Sequence, residues 1–364
     1  MGTVLVVGAS GVVGGAVTER FLADDDRDVV TVSRREPEIE AARPYRHVSV
    51  DLRDADAARA ALAEFGDVED VVYTALFEKP GVMEGWTEAD QMETNLAMLR
   101  NVLDSVVPTC PDLQHVSMLQ GTKAYGIHLH PITIPARERQ PRDPHENFYW
   151  LQEDHLAEEA ERHGFAWSIF RPQLIVGSTL NAPMNMIPVI GAYAAVCRAE
   201  GLPFSYPGGG EWVFQTSDSR IVAGAIHWAS RAPEARNEVF NVTNGEVCEW
   251  HELWPSIAAT VGLEPGEPRS TQLSAFLPEH ADTWDQVVAE HALRPNSLAD
   301  LVGESHHYSD FIFAHGAEEI PPTLVSDVKI RAAGFNEVMD TEETFRYWLN
   351  LLAERNILPA VANP

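Results

Sequence analysis

The stretch TVLVVGAS, Thr3–Ser10, limits this chain more than any other. Val4 to Val7 run apolar without a break and stop at a glycine, the pattern of a strand buried on both faces of a parallel sheet. Gly8, Gly11 and Gly14 then follow at GxxGxxG spacing, and a helix is expected from about Gly11 to Asp24. In such a turn the first glycine permits the tight bend. The second lets the backbone approach a pyrophosphate, and the third lets helix and strand pack closely. The helix N-terminus presents free N–H groups and a positive dipole end to the phosphates. Strand, glycine turn and helix in this order point to a dinucleotide site with Gly8, Ser10, Gly11, Val12 and Gly14 in its wall. The alternative is a glycine-rich turn of some other α/β fold.

The strand–helix alternation continues. DVVTVSRR, YRHVSVDLRD, VEDVVYTAL, LQHVSMLQG and AWSIFRPQLIVG (Ala166–Gly177) read as strands, with helices at DADAARAALAEFG and Thr87–Val107 between them. This rhythm predicts an α/β fold, a Rossmann doubly wound parallel sheet. After about Gly177 the pattern becomes mostly helical, with one clear strand at EVFNVTNG. SYPGGGEW reads as a loop, Pro265 to Ile320 as irregular, and Asp340–Arg355 as a last helix. The expected division is an NADP(H)-binding core over 1–177 and a smaller, mostly helical substrate lobe over 178–364, partly interleaved with the core as one unit.

The formal net charge of −29 on 364 residues argues against nucleic acid and anionic membrane as partners. Cys110, Cys197 and Cys248 are odd in number and far apart, which suits a reducing compartment, and the cytoplasm is the expected location. The longest apolar run, near Met186 to Val196, contains Pro188 and is too short to span a bilayer. A homodimer is the default expectation for the assembly. Only three lysines occur, Lys79, Lys123 and Lys329, which marks each as a functional candidate.

The second strand ends in Ser33-Arg34-Arg35, where an NAD site would carry an acidic residue for the ribose hydroxyls. Guanidinium groups bind phosphate in a fork, so this end favours the 2′-phosphate of NADPH. The other reading of the two arginines is a solvated loop. Asp51 would sit near the adenine or serve a turn. Leu52, Thr74 and Ile175 complete the expected cleft.

HENFYWLQEDHL, His145–Leu156, carries the chemistry. Asp143, Pro144 and Glu146 are read as a capped start of the helix bearing Tyr149. Tyr149 has Glu153 one turn on, where short-chain dehydrogenases place a lysine. A glutamate there would raise rather than lower the tyrosine pKa. Either Tyr149 is structural, or a cation comes from another segment. QGTKAYG, Gln120–Gly126, offers Lys123, which read alone would be an exposed loop lysine. Gly121 stands where a dehydrogenase serine or threonine would fall.

GTKAY and NFYWLQED together resemble the progesterone 5β-reductase/iridoid synthase-like family of atypical short-chain dehydrogenases. RNVLDSVVPTCPDLQHVSMLQG, FRPQLIVGSTLNAPMN, AYAAVCRAEG, NEVFNVTNGEVCEWHELW and IRAAGF extend the resemblance over nearly the whole chain. It implies NADPH as hydride donor, Tyr149 and Lys123 as the catalytic pair, and reduction of a C=C bond conjugated to a carbonyl. The loop Leu119–Thr122 differs in order from the family's, and Trp150 replaces a common tyrosine.

A small apolar enone would need aromatic walls. Trp212, Phe214, Phe311, Phe313 and Phe335 are candidates, with Asn185 and Met186 after the LNAPMN segment; Phe335 has the family's support. His128/His130 and His306/His307 lack carboxylate or cysteine partners at metal spacing, so no metal is expected. Two other readings compete. One is a carbonyl reductase or sugar-nucleotide epimerase of the extended dehydrogenase class, which Glu153 and Gly121 disfavour. The other is a non-enzymatic NADP(H) sensor, which retention of both Lys123 and Tyr149 disfavours.

Overall fold

The structure is a computed structural model and describes residues 2–23, 27–79, 84–294 and 297–361. Seven parallel strands form the central sheet: β1 (Thr3–Val7), β2 (Asp28–Ser33), β3 (Arg46–Ser49), β4 (Val68–Tyr73), β5 (His115–Leu119), β6 (Ala166–Pro172) and β7 (Glu238–Val242). Their order is β7-β6-β5-β4-β1-β2-β3. The order reverses between β1 and β4, and a crevice opens there at the strand C-termini, the ligand position of a Rossmann sheet. β7 comes from beyond residue 177 and pairs in parallel with β6, Glu238 opposite Ser168.

Alternation along β1 sets the two layers. Val4 and Val6 point to one face, under α1 (Val12–Ala23) and α6 (Ser219–Ala229). Leu5 and Val7 point to the other, against a core shared with α2 (Ala55–Leu62), α3 (Ala89–Val106) and α4 (Phe148–His163). Both faces are therefore buried, which is why the strand is apolar throughout. Asp24, the expected end of the first helix, lies outside the described residues.

Three boundaries differ from the sequence reading, each for a local reason. The last long strand stops at Pro172. Leu174 adopts φ +42°, so the chain turns, and Ile175–Val176 pairs instead with Ser217–Asp218. The helix bearing Tyr149 does not start at Asp143–Glu146. The Asp143 carboxylate is taken by His130 (3.0 Å) and His145 (2.7 Å), and Asn147 caps α4 by accepting from the Tyr149 N–H at 3.0 Å. The Pro265–Ile320 region is not irregular: it holds four helices, α8 (Leu273–Glu279), α9 (Ala281–His291), α10 (Leu298–Val302) and α11 (Ser305–Ile312). Their apolar faces join α5 (Met186–Glu200), α7 (Trp250–Thr260) and α12 (Thr341–Glu354) in a second core around Trp250, Trp254 and Trp284. Each helix is short enough to be marginal alone and depends on this packing. α5 is buried from Met186 through Cys197, so the longest apolar run of the chain is the centre of this lobe. Among the described residues no helix is long and apolar enough to cross a membrane.

Candidate active site

A single cavity of about 840 Å³ runs from the glycine turn, past the ends of β4 and β5, to the helical lobe. Gly8, Ser10, Gly11, Val12, Gly14, Ser33, Arg34, Arg35, Asp51, Leu52, Thr74 and Ile175 all line it, as do Lys123, Tyr149, Trp212 and Phe311.

The glycine end is a cradle that side chains would fill. Gly8 has φ +85°, and a Cβ there would stand 2.6 Å from the Ala75 backbone nitrogen. A Cβ on Gly14 would stand 2.2 Å from the Gly8 carbonyl oxygen. Thr74 donates from Oγ1 to the Val7 carbonyl (2.9 Å), tying β4 to the turn. α1 begins at Val12, so its first N–H groups lack intrahelical partners beside the cavity. Arg34 and Arg35 are exposed and form no ion pair among the described residues. Asp51 is held by Arg53, which hydrogen-bonds it at 2.6 Å and pulls its carboxyl down to about 2. The turn alternative for Asp51 thus has a physical basis. These residues fit a dinucleotide with an extra phosphate near the guanidinium groups.

The stretch of the cavity that holds Lys123 and Tyr149 is organised around Trp86, which the sequence reading did not single out. The Lys123 Nζ lies over its ring, 3.7 Å from the centroid. Tyr149 packs edge-on against it at 5.4 Å, and Phe148 lies 4.8 Å away. Lys123 comes from the short 3₁₀ turn Thr122–Tyr125 after β5, and Tyr149 from the first turn of α4. Asn147 joins the two segments: its Oδ1 caps the helix, and its Nδ2 donates to the Lys123 carbonyl at 3.3 Å. The lysine is turned inward, its Nζ 3.8 Å from the Met184 sulfur, and is not an exposed loop residue. Burial pushes its amine down to about 8, against the opposing pull of Glu78. Burial also raises the Tyr149 hydroxyl above its ordinary value, as does the Glu78 carboxylate, while Arg171 pulls it down. The phenol therefore stays protonated. A Cβ on Gly121 would stand 3.4 Å from the Tyr149 hydroxyl oxygen, so the residue lacking a hydroxyl is the tyrosine's immediate neighbour.

Glu153 turns away from this cluster. It accepts from Arg171 Nη2 at 2.7 Å and pairs with Arg142 at 2.9 Å. Arg171 in turn donates to Gln120 Oε1 (3.1 Å), and Gln120 Nε2 donates to the Tyr149 carbonyl (3.3 Å). The glutamate at the lysine position is thus one end of a buried brace under the tyrosine.

The expected substrate residues divide. Trp212 and Phe311 face the cavity. Phe214 instead stacks on Trp250 at 4.1 Å, Phe313 packs among Tyr206, Trp250 and Trp254, and Phe335 lies against Trp228. Asn185 caps α5, with its amide donating to the Gly177 and Thr179 carbonyls, and Met186 is fully buried. Their neighbours Ala182, Pro183 and Met184 line the cavity. The helix start at Met186 turns the side chains that follow Met184 into the core.

The PRISE-like Rossmann-fold domain matches residues 4–314. The chain belongs to the PRISE-like family. Among its PRISE-like relatives, (S)-8-oxocitronellyl enol synthase ISY2 of Nepeta racemosa is 31% identical, over 98% of this chain and 91% of that protein. The 3-oxo-Delta(4,5)-steroid 5-beta-reductase of Arabidopsis thaliana is 30% identical, over 98% and 92%. Among solved structures, the UDP-glucose 4-epimerase of Bifidobacterium longum with NAD+ and UDP superposes with a TM-score of 0.68 at 15% identity, covering 98% of this chain and 99% of that one. At that identity the epimerase likeness speaks for the PRISE-like chain's fold alone.

Proposed function

We propose that this protein is an NADPH-dependent reductase that adds hydride to the β-carbon of an α,β-unsaturated carbonyl. The observation that carries the reading is the meeting of Lys123 and Tyr149 on Trp86, in the wall of the cavity that starts at the glycine turn. The names of the relatives support it: a steroid 5β-reductase and an 8-oxocitronellyl enol synthase.

Gly8, Gly11 and Gly14, with the N-terminus of α1, would hold the pyrophosphate, and Arg34 and Arg35 the 2′-phosphate. When bound, the cofactor supplies a hydride. Negative charge then develops on the substrate's carbonyl oxygen as an enolate forms. Tyr149, kept neutral by burial, donates its hydroxyl proton in a hydrogen bond to that oxygen, and Lys123 offers an ammonium. Two such donors form an oxyanion hole. Direct ketone reduction would need a proton delivered to the alkoxide in the same step. An enolate can take its proton later, at carbon, from water. Lys123 therefore need not stand on the tyrosine helix, and position 153 is free to serve as a brace.

The test uses purified protein, NADPH, and either 2-cyclohexen-1-one or cyclohexanone, followed at the nicotinamide absorbance. Consumption with the enone alone is expected. Consumption with the ketone alone would replace this reading with a carbonyl reductase, and cofactor binding without turnover on a panel of enones would favour a sensor.

A further inference from the structure

We propose that Glu78 is a positioning residue for Lys123: from the edge of the Trp86 indole, its carboxylate keeps the amine charged and seated beside Tyr149. The inference rests on the reading just given, in which Lys123 must act as an ammonium.

Glu78 follows β4, in a segment remote in sequence from Lys123 and Tyr149. Its Oε1 accepts from Trp86 Nε1 at 2.6 Å. Its Oε2 is buried and makes no bond in strict hydrogen-bonding geometry among the described residues, although the Gln91 side-chain amide stands beside the carboxylate and helps to hold its pKa down. A buried carboxylate oxygen without a donor is costly unless a cation stands near. Lys123, on the face of the same indole, supplies that cation. The ring fixes both partners: it donates to the carboxylate through its N–H and attracts the ammonium through its π face. Tyr149 meets the same ring in a T-shaped contact, centroids 5.4 Å apart.

The surroundings leave Glu78 as the only group facing Lys123 that becomes an anion as pH rises through about 7, below the range in which the amine titrates. Lys123 also faces the Met184 sulfur and the His128 ring, whose pKa burial pushes down to about 4, so that histidine is neutral in the working range. Tyr149 stays protonated. Glu78 also faces Gln91, which carries no charge. Lys79, next in the chain, is tied to Glu88 and Asp90 at the surface. Burial drives the Glu78 carboxyl up to about 7 and the Lys123 amine down to about 8, each restrained by the other's charge. Without the carboxylate, burial alone acts on the amine.

Glu78→Gln keeps an acceptor for the indole N–H and removes the charge. Its kcat/KM for an enone should fall with rising pH earlier than wild type, the alkaline limb moving down by about one unit or more. A direct readout needs no substrate. The three lysines give three signals on [ε-13C]lysine labelling, assigned with Lys79→Arg and Lys329→Arg. The Lys123 signal should titrate about one unit or more lower in E78Q. In a Lys123→Arg background, whose guanidinium is charged throughout, E78Q should no longer alter the pH profile. An unmoved Lys123 midpoint, an activity loss uniform with pH, or a pH effect that survives in the arginine background would each overturn the proposal. Glu78→Ala substitutes if E78Q does not fold. If the wild type reduces no enone, the functional reading fails, while the lysine titration still decides the role of Glu78.

Discussion

Placing a lysine at position 153 restores the spacing of ordinary short-chain dehydrogenases, and the structure says what should follow. The Glu153 and Arg171 side chains are only 10% and 7% exposed and meet at 2.7 Å. Removing one member of such a buried pair costs about 3–5 kcal/mol, because the survivor is left charged and unpaired. Glu153→Lys does more, since it sets an ammonium against Arg171 and Arg142. Arg142 can escape: its side chain is 43% exposed and already holds Asp154 at 2.8 Å. Arg171 cannot, being wedged over the Tyr125 and Trp150 rings. A loss of at least about 3–5 kcal/mol is therefore expected, measured as a lowered urea midpoint and faster thermal inactivation. Because Arg171 reaches the Tyr149 carbonyl through Gln120, enone turnover should fall as well. Glu153→Gln, which keeps the hydrogen bond to Arg171, should lose less on both counts. An E153K protein as stable as wild type, or one that gains ketone reductase activity, would refute the argument that Glu153 is a brace rather than a failed lysine.

Tyr149→Phe keeps the ring packed against Trp86 and removes only the donor, so kcat for an enone should drop about 10²- to 10³-fold while the NADPH Kd is unchanged; rapid-mixing kinetics and calorimetry check the two halves. Replacing Arg34 and Arg35 together with alanine should weaken NADPH by about tenfold or more and leave NADH nearly unaffected, as charge-assisted bonds to one phosphate are lost. Gly14→Ala drives a methyl group into the Gly8 carbonyl, 2.2 Å away, so it should abolish cofactor-induced thermal stabilisation. Wild-type kcat/KM should decline as pH rises through about 8, because the Lys123 amine donates only when protonated, and Lys123→Arg should flatten that decline.

Much of this protein was legible along the chain because the physics involved is local. A buried parallel strand must be apolar on both faces, and a turn that brings backbone to within van der Waals contact of Ala75 must have no Cβ at Gly8. Such demands are written into consecutive residues, so the sheet and the glycine cradle could be read directly. The departures at Glu153 and Gly121 were equally visible, as was the lysine at 123. What they meant depended on partners. Glu153 is explained by Arg171, which arrives on β6, and Lys123 by Trp86 and Glu78, which arrive from the segment after β4. The helices between 273 and 312 are short, each marginal alone, and are held because their apolar sides close one shared core. Met184 faces the cavity and Met186 the core because the helix begins between them. Backbone geometry and strand burial are settled by near neighbours in sequence, whereas the charge state and direction of a buried side chain are settled by whatever remote segments fold against it.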